Sequence, residues 1–376
     1  MRVIVVGGGI VGASAAFHLA RRGVDVTLVD ATRPGQATAA GAGVVFPWPF
    51  PWDAPPARAF ALRAAAHLPG LVAELTDDGV DPGYSVVGGI SVSTDTAALD
   101  RDYGLMTELS RRRGYERLGA VRRLEPGEPA ARFPLLPDSY AGVEVAGTAR
   151  VDGRMARAAL VSMAKDYGLT LVSGFAELTG TAGDNARVRG VRVAGDELEA
   201  DVVVVAAGVW TAPLLEPFGV AVPVRSVRGQ IVHTALPGYY TRDWPVLRFP
   251  AEECHIVAFP PDRLVLGSTW EPGSDLEHRV TVRGLHEGLS AGIRMLPGLA
   301  DATVVETRVG FRPSSADGLQ ILGPLAELPG VVVATGLGSM GLTLGPYQGV
   351  VAATLALGEE PDVNVSAFRP DRPVAD

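Results

Sequence analysis

The stretch VIVVGGGIVGASAAFHLARRGVDVTLVD, Val3 to Asp30, places Gly7, Gly9 and Gly12 at G-x-G-x-x-G spacing between an apolar run and a helical one. In this pattern the first glycine permits a tight turn, the second lets backbone approach a pyrophosphate, and the third lets helix and strand pack closely. The helix start at Ile10 and Val11 offers unpaired N–H groups and the positive end of its dipole to phosphate oxygens. Asp30 closes the next strand, near the usual distance of about 20 residues, where a carboxylate accepts hydrogen bonds from ribose hydroxyls and repels a 2′-phosphate. Turn glycines beside a solvated strand end are the plain alternative. Strand, turn, helix, strand and acid nevertheless occur in order, and together they predict a dinucleotide. These residues leave nicotinamide and flavin dinucleotides tied.

The elements that must position this turn are readable. RVIVVG is a continuous apolar run, as a parallel strand covered on both faces should be. ADVVVVAAGVW (Ala200 to Trp210) and GVVVATGLGSMG (Gly330 to Gly341) are two more such strands, each ending in a glycine turn and expected to join the first. The nucleotide domain is therefore discontinuous. YSVVGGISVSTD, QIVHTALPG and CHIVAFPPDRLVLGSTWEPG are strand-like but interrupted by Pro and Gly, typical of antiparallel hairpins in a second, substrate-facing sheet.

Composition excludes other classes. The chain has 376 residues, 47% of them hydrophobic, which fits about two domains and rules out disorder. A net charge of −9 and no basic run longer than Arg111–Arg113 argue against nucleic acid. Cys254 is the only cysteine, so no internal disulfide or Cys-based metal site forms, and no metal is expected. A cytoplasmic location is expected. The uncharged stretch from Gly330 to Gly358 is long enough to span a bilayer, but its glycines and Pro346 are expected to break any continuous helix, leaving a strand, a glycine loop and a helix.

Read in order, the N-terminal unit, GQATAAGAGVVFPW, ARVDGRMARAAL, ADVVVVAAGVW, VRGQIV, LVLGSTWEP, GFRPSSADGLQILGP and VVVATGLGSMGLTLGP resemble the FAD-dependent D-amino-acid oxidase, glycine oxidase and D-amino-acid dehydrogenase family. The resemblance runs from the first residues to SAFRPDR. It implies an α/β fold: a Rossmann-like FAD-binding domain of the glutathione-reductase type (1–83, 147–222, 318–376) and a second α+β substrate domain on a largely antiparallel sheet (84–146, 223–317). It also implies that FAD is resident. The loop Thr38, Ala39, Ala40, Gly41 and Gly43 then approaches the flavin, Ala207, Gly208 and Trp210 lie close to the dinucleotide, and Leu178 holds the adenine by its backbone.

A reduced flavin carries negative charge on its N1/C2=O edge, and no Lys or Arg occurs between Arg312 and Arg369 to meet it. Backbone N–H groups of Gly338, Ser339, Gly341, Leu342 and Thr343 at a helix N-terminus are the candidates, with an ordinary glycine-rich turn as the alternative. By the resemblance Arg312 binds the substrate carboxylate, a task that suits its forked guanidinium; a structural ion pair with Asp317 is the competing reading. His255 stands where glycine oxidase relatives commonly carry Tyr. It either serves the substrate carboxylate or amine or is an ordinary strand histidine. Trp48 and Trp52 form an aromatic wall or pack their proline-rich loop, and Met340 faces substrate or the core.

The implied reaction is oxidative deamination of a small D-amino acid or glycine by hydride transfer to flavin N5, giving a 2-oxo acid and ammonia. Oxygen or a quinone is the expected electron acceptor. Oxidation of an N-methyl amino acid or a 2-hydroxy acid, and a non-catalytic FAD-holding subunit, are the alternatives. Sarcosine oxidases often tether FAD through a cysteine. With Cys254 alone and Lys165 the only lysine, FAD is expected to be non-covalent. A homo-oligomer is left open.

Overall fold

The apolar runs flanking the first glycine turn become neighbouring strands. The computed structural model describes residues 1–46, 54–183 and 186–374. Arg2–Val6 pairs in parallel with Asp25–Asp30 on one side and Val202–Val205 on the other. Val331–Thr335 extends the sheet beyond Val202–Val205 and Thr170–Ser173 beyond Asp25–Asp30, while Ile321–Pro324 adds the antiparallel edge. This six-stranded sheet thus collects three separate stretches of chain. Its strands alternate sides: Val3 and Val5 pack with Phe17 and Leu19 of the first helix, whereas Ile4 and Val6 pack with Val191 and Val193. Burial of both faces explains why these strands read as unbroken valine runs.

The second sheet has nine strands and is largely antiparallel. Its axis is the long strand Arg225–Ala235, which pairs with Arg263–Gly267 on one edge and Thr303–Ser314 on the other. One parallel pair, Gly89–Ser93 with Val246–Phe249, interrupts the antiparallel pattern. Val44–Val45, Ala149–Val151 and Tyr84–Val86 form a small sheet between the two. The architecture is α/β, a Rossmann-like half joined to an α+β half.

The stretch from Gly330 to Gly358 forms the expected strand, Val331–Thr335, glycine turn and helix, Gly341–Ala356, but Gly345, Pro346 and Gly349 lie inside that helix and do not break it. The reason is packing against the first helix, Ile10–Arg21. A methyl on Gly345 would lie 2.7 Å from Ile10, and one on Gly349 2.5 Å from the Ser14 Cβ, so only glycine allows this approach. The Ser14 hydroxyl donates to the Pro346 carbonyl at 2.6 Å across the same contact. Overpacking costs about 1–3 kcal/mol, against up to about 1 kcal/mol of helix propensity gained by alanine. Gly349→Ala is therefore expected to lower the urea midpoint, and an unchanged midpoint would show that the helices have room to spare.

Candidate active site

Between the two sheets lies a cavity of about 680 Å³ that runs from the first glycine turn to Arg312. At its nucleotide end Gly7 adopts φ +101°, and a methyl there would lie 2.4 Å from the Ala206 carbonyl oxygen. Gly12 is pressed onto the turn, its Cβ position only 1.8 Å from the Gly7 carbonyl oxygen, so it packs helix on strand and does not line the cavity. Gly9 differs from both. Its backbone is extended at φ −70° and its Cβ position meets only the Thr38 hydroxyl, at 3.3 Å. Gly341 likewise has a helical φ of −56° and open space where a side chain would stand. The protein itself requires no glycine at either position. Both line the cavity, as they must if a phosphate and a flavin approach the backbone there, and the site fits FAD.

Val11, Thr38, Ala40, Gly41, Gly43, Leu178, Ala207, Gly208 and Trp210 also line the cavity, but Ala39 does not; its carbonyl instead accepts from Arg308 at 3.3 Å. The Ile10 N–H is already used, donating to the Thr38 hydroxyl at 2.9 Å, so it is not free for a phosphate. Asp30 lines the cavity but is not a bare carboxylate. Its Oδ1 accepts from the Thr32 N–H at 3.1 Å and the Gln36 amide at 3.0 Å, and its Oδ2 from Arg157 at 2.8 Å.

At the other end, Gly338, Ser339, Met340, Gly341, Leu342 and Thr343 line the cavity at the N-terminus of Gly341–Ala356, where unpaired N–H groups and the helix dipole favour negative charge. The Thr343 hydroxyl accepts from the Phe46 N–H at 3.4 Å. Met340 caps the helix by position only, with no side-chain hydrogen bond.

Arg312 projects from the strand Thr303–Ser314 into the cavity. One Nη donates to the Thr269 carbonyl at 3.3 Å and the other to the Ser268 hydroxyl, while the guanidinium stacks on Trp270, 5.3 Å from the ring centre. The competing ion pair is not formed: Asp317 binds Arg372 at 2.8 Å and Glu271 binds Arg228 at 2.6 Å. Among the described residues no carboxylate pairs with Arg312. Removal from water lowers its pKa to about 10, partly offset by Glu271, so it stays a cation at neutral pH.

His255 sits on Cys254–Phe259, lines the cavity and packs its ring 5.7 Å from Phe46. Its Nε2 is buried without a partner among the described residues. Burial, and secondarily the Arg248 cation, press its pKa down to about 4, so the imidazole is neutral. His18, at about 3, and His233, at about 4, are also held neutral chiefly by burial. Each histidine protonates near its ordinary 6.5 once unfolded, so the unfolded chain binds more protons between pH 6.5 and 4. Stability is expected to fall as the pH drops through that window. A urea midpoint no lower at pH 5 than at pH 7.5 would show that the histidines are already charged in the fold.

Several residues near the cavity were not singled out in the sequence. Gly229 lies beneath Arg312, and a methyl there would come within 2.2 Å of its guanidinium. An isolated glycine in the strand-like VRGQIV is the signal that could have found it. Arg33, stacked 4.4 Å from the Phe175 ring centre and 5.5 Å from that of Trp210, and Arg157 carried no signal. Trp48 and Trp52 lie outside the described residues. Cys254 does not line the cavity. Among the described residues no cluster of His, Cys, Asp or Glu could hold a metal, and no helix is long and apolar enough to cross a membrane.

An uncharacterized oxidoreductase of Bacillus subtilis (strain 168), YurR, is 39% identical over 98% of both chains. A glycine oxidase of Pseudomonas aeruginosa is 31% identical, again over 98% of both. The crystal structure of iminodiacetate oxidase from Chelativorans sp. BNC1 superposes with a TM-score of 0.92 at 40% identity, covering 98% of this chain and 99% of that one. A family profile described as FAD dependent oxidoreductase (DAO) matches residues 2–355. A dinucleotide turn, a cavity reaching the Arg312 guanidinium and near-full-length relatives converge on one conclusion: the chain belongs to the DAO family of FAD-dependent oxidoreductases.

Proposed function

We propose that the protein oxidises the α-carbon–nitrogen bond of a small amino acid, with non-covalent FAD as hydride acceptor, and that the amine is a secondary one of the N-substituted glycine type. The observation that carries this reading is Arg312, a cation aimed into the cavity with no carboxylate partner among the described residues. The 40% identity to an iminodiacetate oxidase supports the secondary amine. Glycine or a D-amino acid is the second reading, supported by the 31% identity to a glycine oxidase.

Bound FAD supplies the two-electron acceptor. Arg312 takes the substrate carboxylate through paired, charge-assisted hydrogen bonds, its plane fixed by Ser268 and Trp270. Neutral His255 can accept a hydrogen bond from the free amine and does not repel an amine as an imidazolium would repel its cation. The N–H groups at the start of Gly341–Ala356 meet negative charge developing at that end of the cavity. Loss of a hydride and a proton turns the amine into an imine, and water then releases a 2-oxo acid and the primary amine, or ammonia from a primary substrate. Positioning carries this reaction, and no protein base is required.

The test is anaerobic mixing of the purified yellow protein with iminodiacetate, sarcosine, glycine, D-alanine and a 2-hydroxy acid, following loss of flavin absorbance. Bleaching by the secondary amines fastest is expected. Fastest bleaching by glycine or D-alanine would favour the second reading, and bleaching by the hydroxy acid alone would overturn both.

A further inference from the structure

The geometry points to Arg157 as a positioning residue that ties the phosphate-approaching turn to the ribose-facing carboxylate and thereby sets the preference for FAD over FMN; this rests on the dinucleotide placement above. Arg157 projects from the helix Gly153–Asp166, well away in sequence from the turn it serves. Its Nε donates to the carbonyl of Gly8, the middle residue of the glycine turn, and its Nη2 to Asp30 Oδ2 at 2.8 Å. One planar guanidinium thus spans the turn and the strand-end acid, as its fixed fork allows and a single ammonium does not.

Asp30 is only 5% exposed, so these partners stand in for the water its carboxylate lacks. A carboxylate has about four acceptor sites. Thr32 and Gln36 take two on Oδ1 and Arg157 takes one on Oδ2, which leaves one for a ribose hydroxyl. A methyl on Gly8 would lie 2.7 Å from Oδ2, so the acid rests directly on the turn. Without Arg157, a buried carboxylate would stand without a cation close to the pyrophosphate, in a chain of net charge −9. With it, the carboxylate is oriented and paired before the cofactor arrives. FMN has no adenosine ribose to contact Asp30, so its affinity should be nearly indifferent to Arg157.

The experiment uses flavin-free full-length protein and follows flavin fluorescence on titration with FAD and with FMN. Arg157→Met is expected to raise the FAD Kd by about 10–100-fold, the loss of one charge-assisted contact, and to change the FMN Kd by less than about threefold. Arg157→Lys keeps the charge without the fork and is expected to raise the FAD Kd by about 3–10-fold; wild-type FAD affinity in this variant overturns the proposal even if Arg157→Met does not fold. An FAD Kd within about twofold of wild type for Arg157→Met, or equal losses for FAD and FMN, also overturns it. Wild-type protein that holds FAD and FMN equally would instead sink the placement of the adenosine half beside Asp30.

Discussion

Gly9→Val is expected to give a folded protein that purifies without colour, its FAD affinity at least about 100-fold below wild type. The size follows from losing about two phosphate contacts at about 1.5–3 kcal/mol each. The fold should survive because Gly9 is extended at φ −70° and its Cβ position meets nothing closer than the Thr38 hydroxyl, at 3.3 Å. The added side chain fills the cavity where the backbone must be bare. Gly7→Val is the contrasting case: φ +101° and the Ala206 carbonyl oxygen 2.4 Å away predict that it will not fold. Circular dichroism and the flavin spectrum of the two variants decide the matter. A yellow Gly9→Val protein would move the pyrophosphate elsewhere.

Arg312→Met is expected to retain FAD and lose kcat/KM for carboxylated amines by about 10–100-fold, corresponding to about 1.4–2.8 kcal/mol of transition-state binding. The shape of methionine preserves packing against Trp270, so the loss reports the charge-assisted contact. Gly229→Ala should act on the same group from below, because its methyl would come within 2.2 Å of the guanidinium. An Arg312→Met enzyme with unchanged kcat/KM would remove Arg312 from the substrate site and with it the carboxylate requirement.

The six-stranded sheet was legible because its physics is simple: parallel strands buried on both faces leave runs such as VIVV and VVVV, which half-exposed strands and amphipathic helices do not produce. The second sheet was legible as hairpins, but its one parallel pair was not, since pairing between Gly89–Ser93 and Val246–Phe249 is a matter of distant register. The stretch from Gly330 to Gly358 was legible as strand, turn and helix, but the place of Gly345, Pro346 and Gly349 inside that helix was not, because helix-breaking is a local tendency that the close approach to Ile10 and Ser14 outweighs. In the site, the glycines announced themselves by spacing. Arg157 did not, because an arginine in a helix such as MARAAL has no local mark distinguishing a solvated side chain from one reaching across to Asp30. His255 was readable as a departure from Tyr, but its neutrality is a product of burial, which the order of residues does not disclose.

The three-piece make-up of the cofactor sheet has a consequence for biogenesis. Val331–Thr335 and the helix that follows it supply one end of the cavity, and they lie far along the chain from the first glycine turn. A growing polypeptide therefore possesses the first glycine turn long before it possesses anything to close over a flavin, and the pocket is complete only once Val331–Thr335 and Gly341–Ala356 have been made.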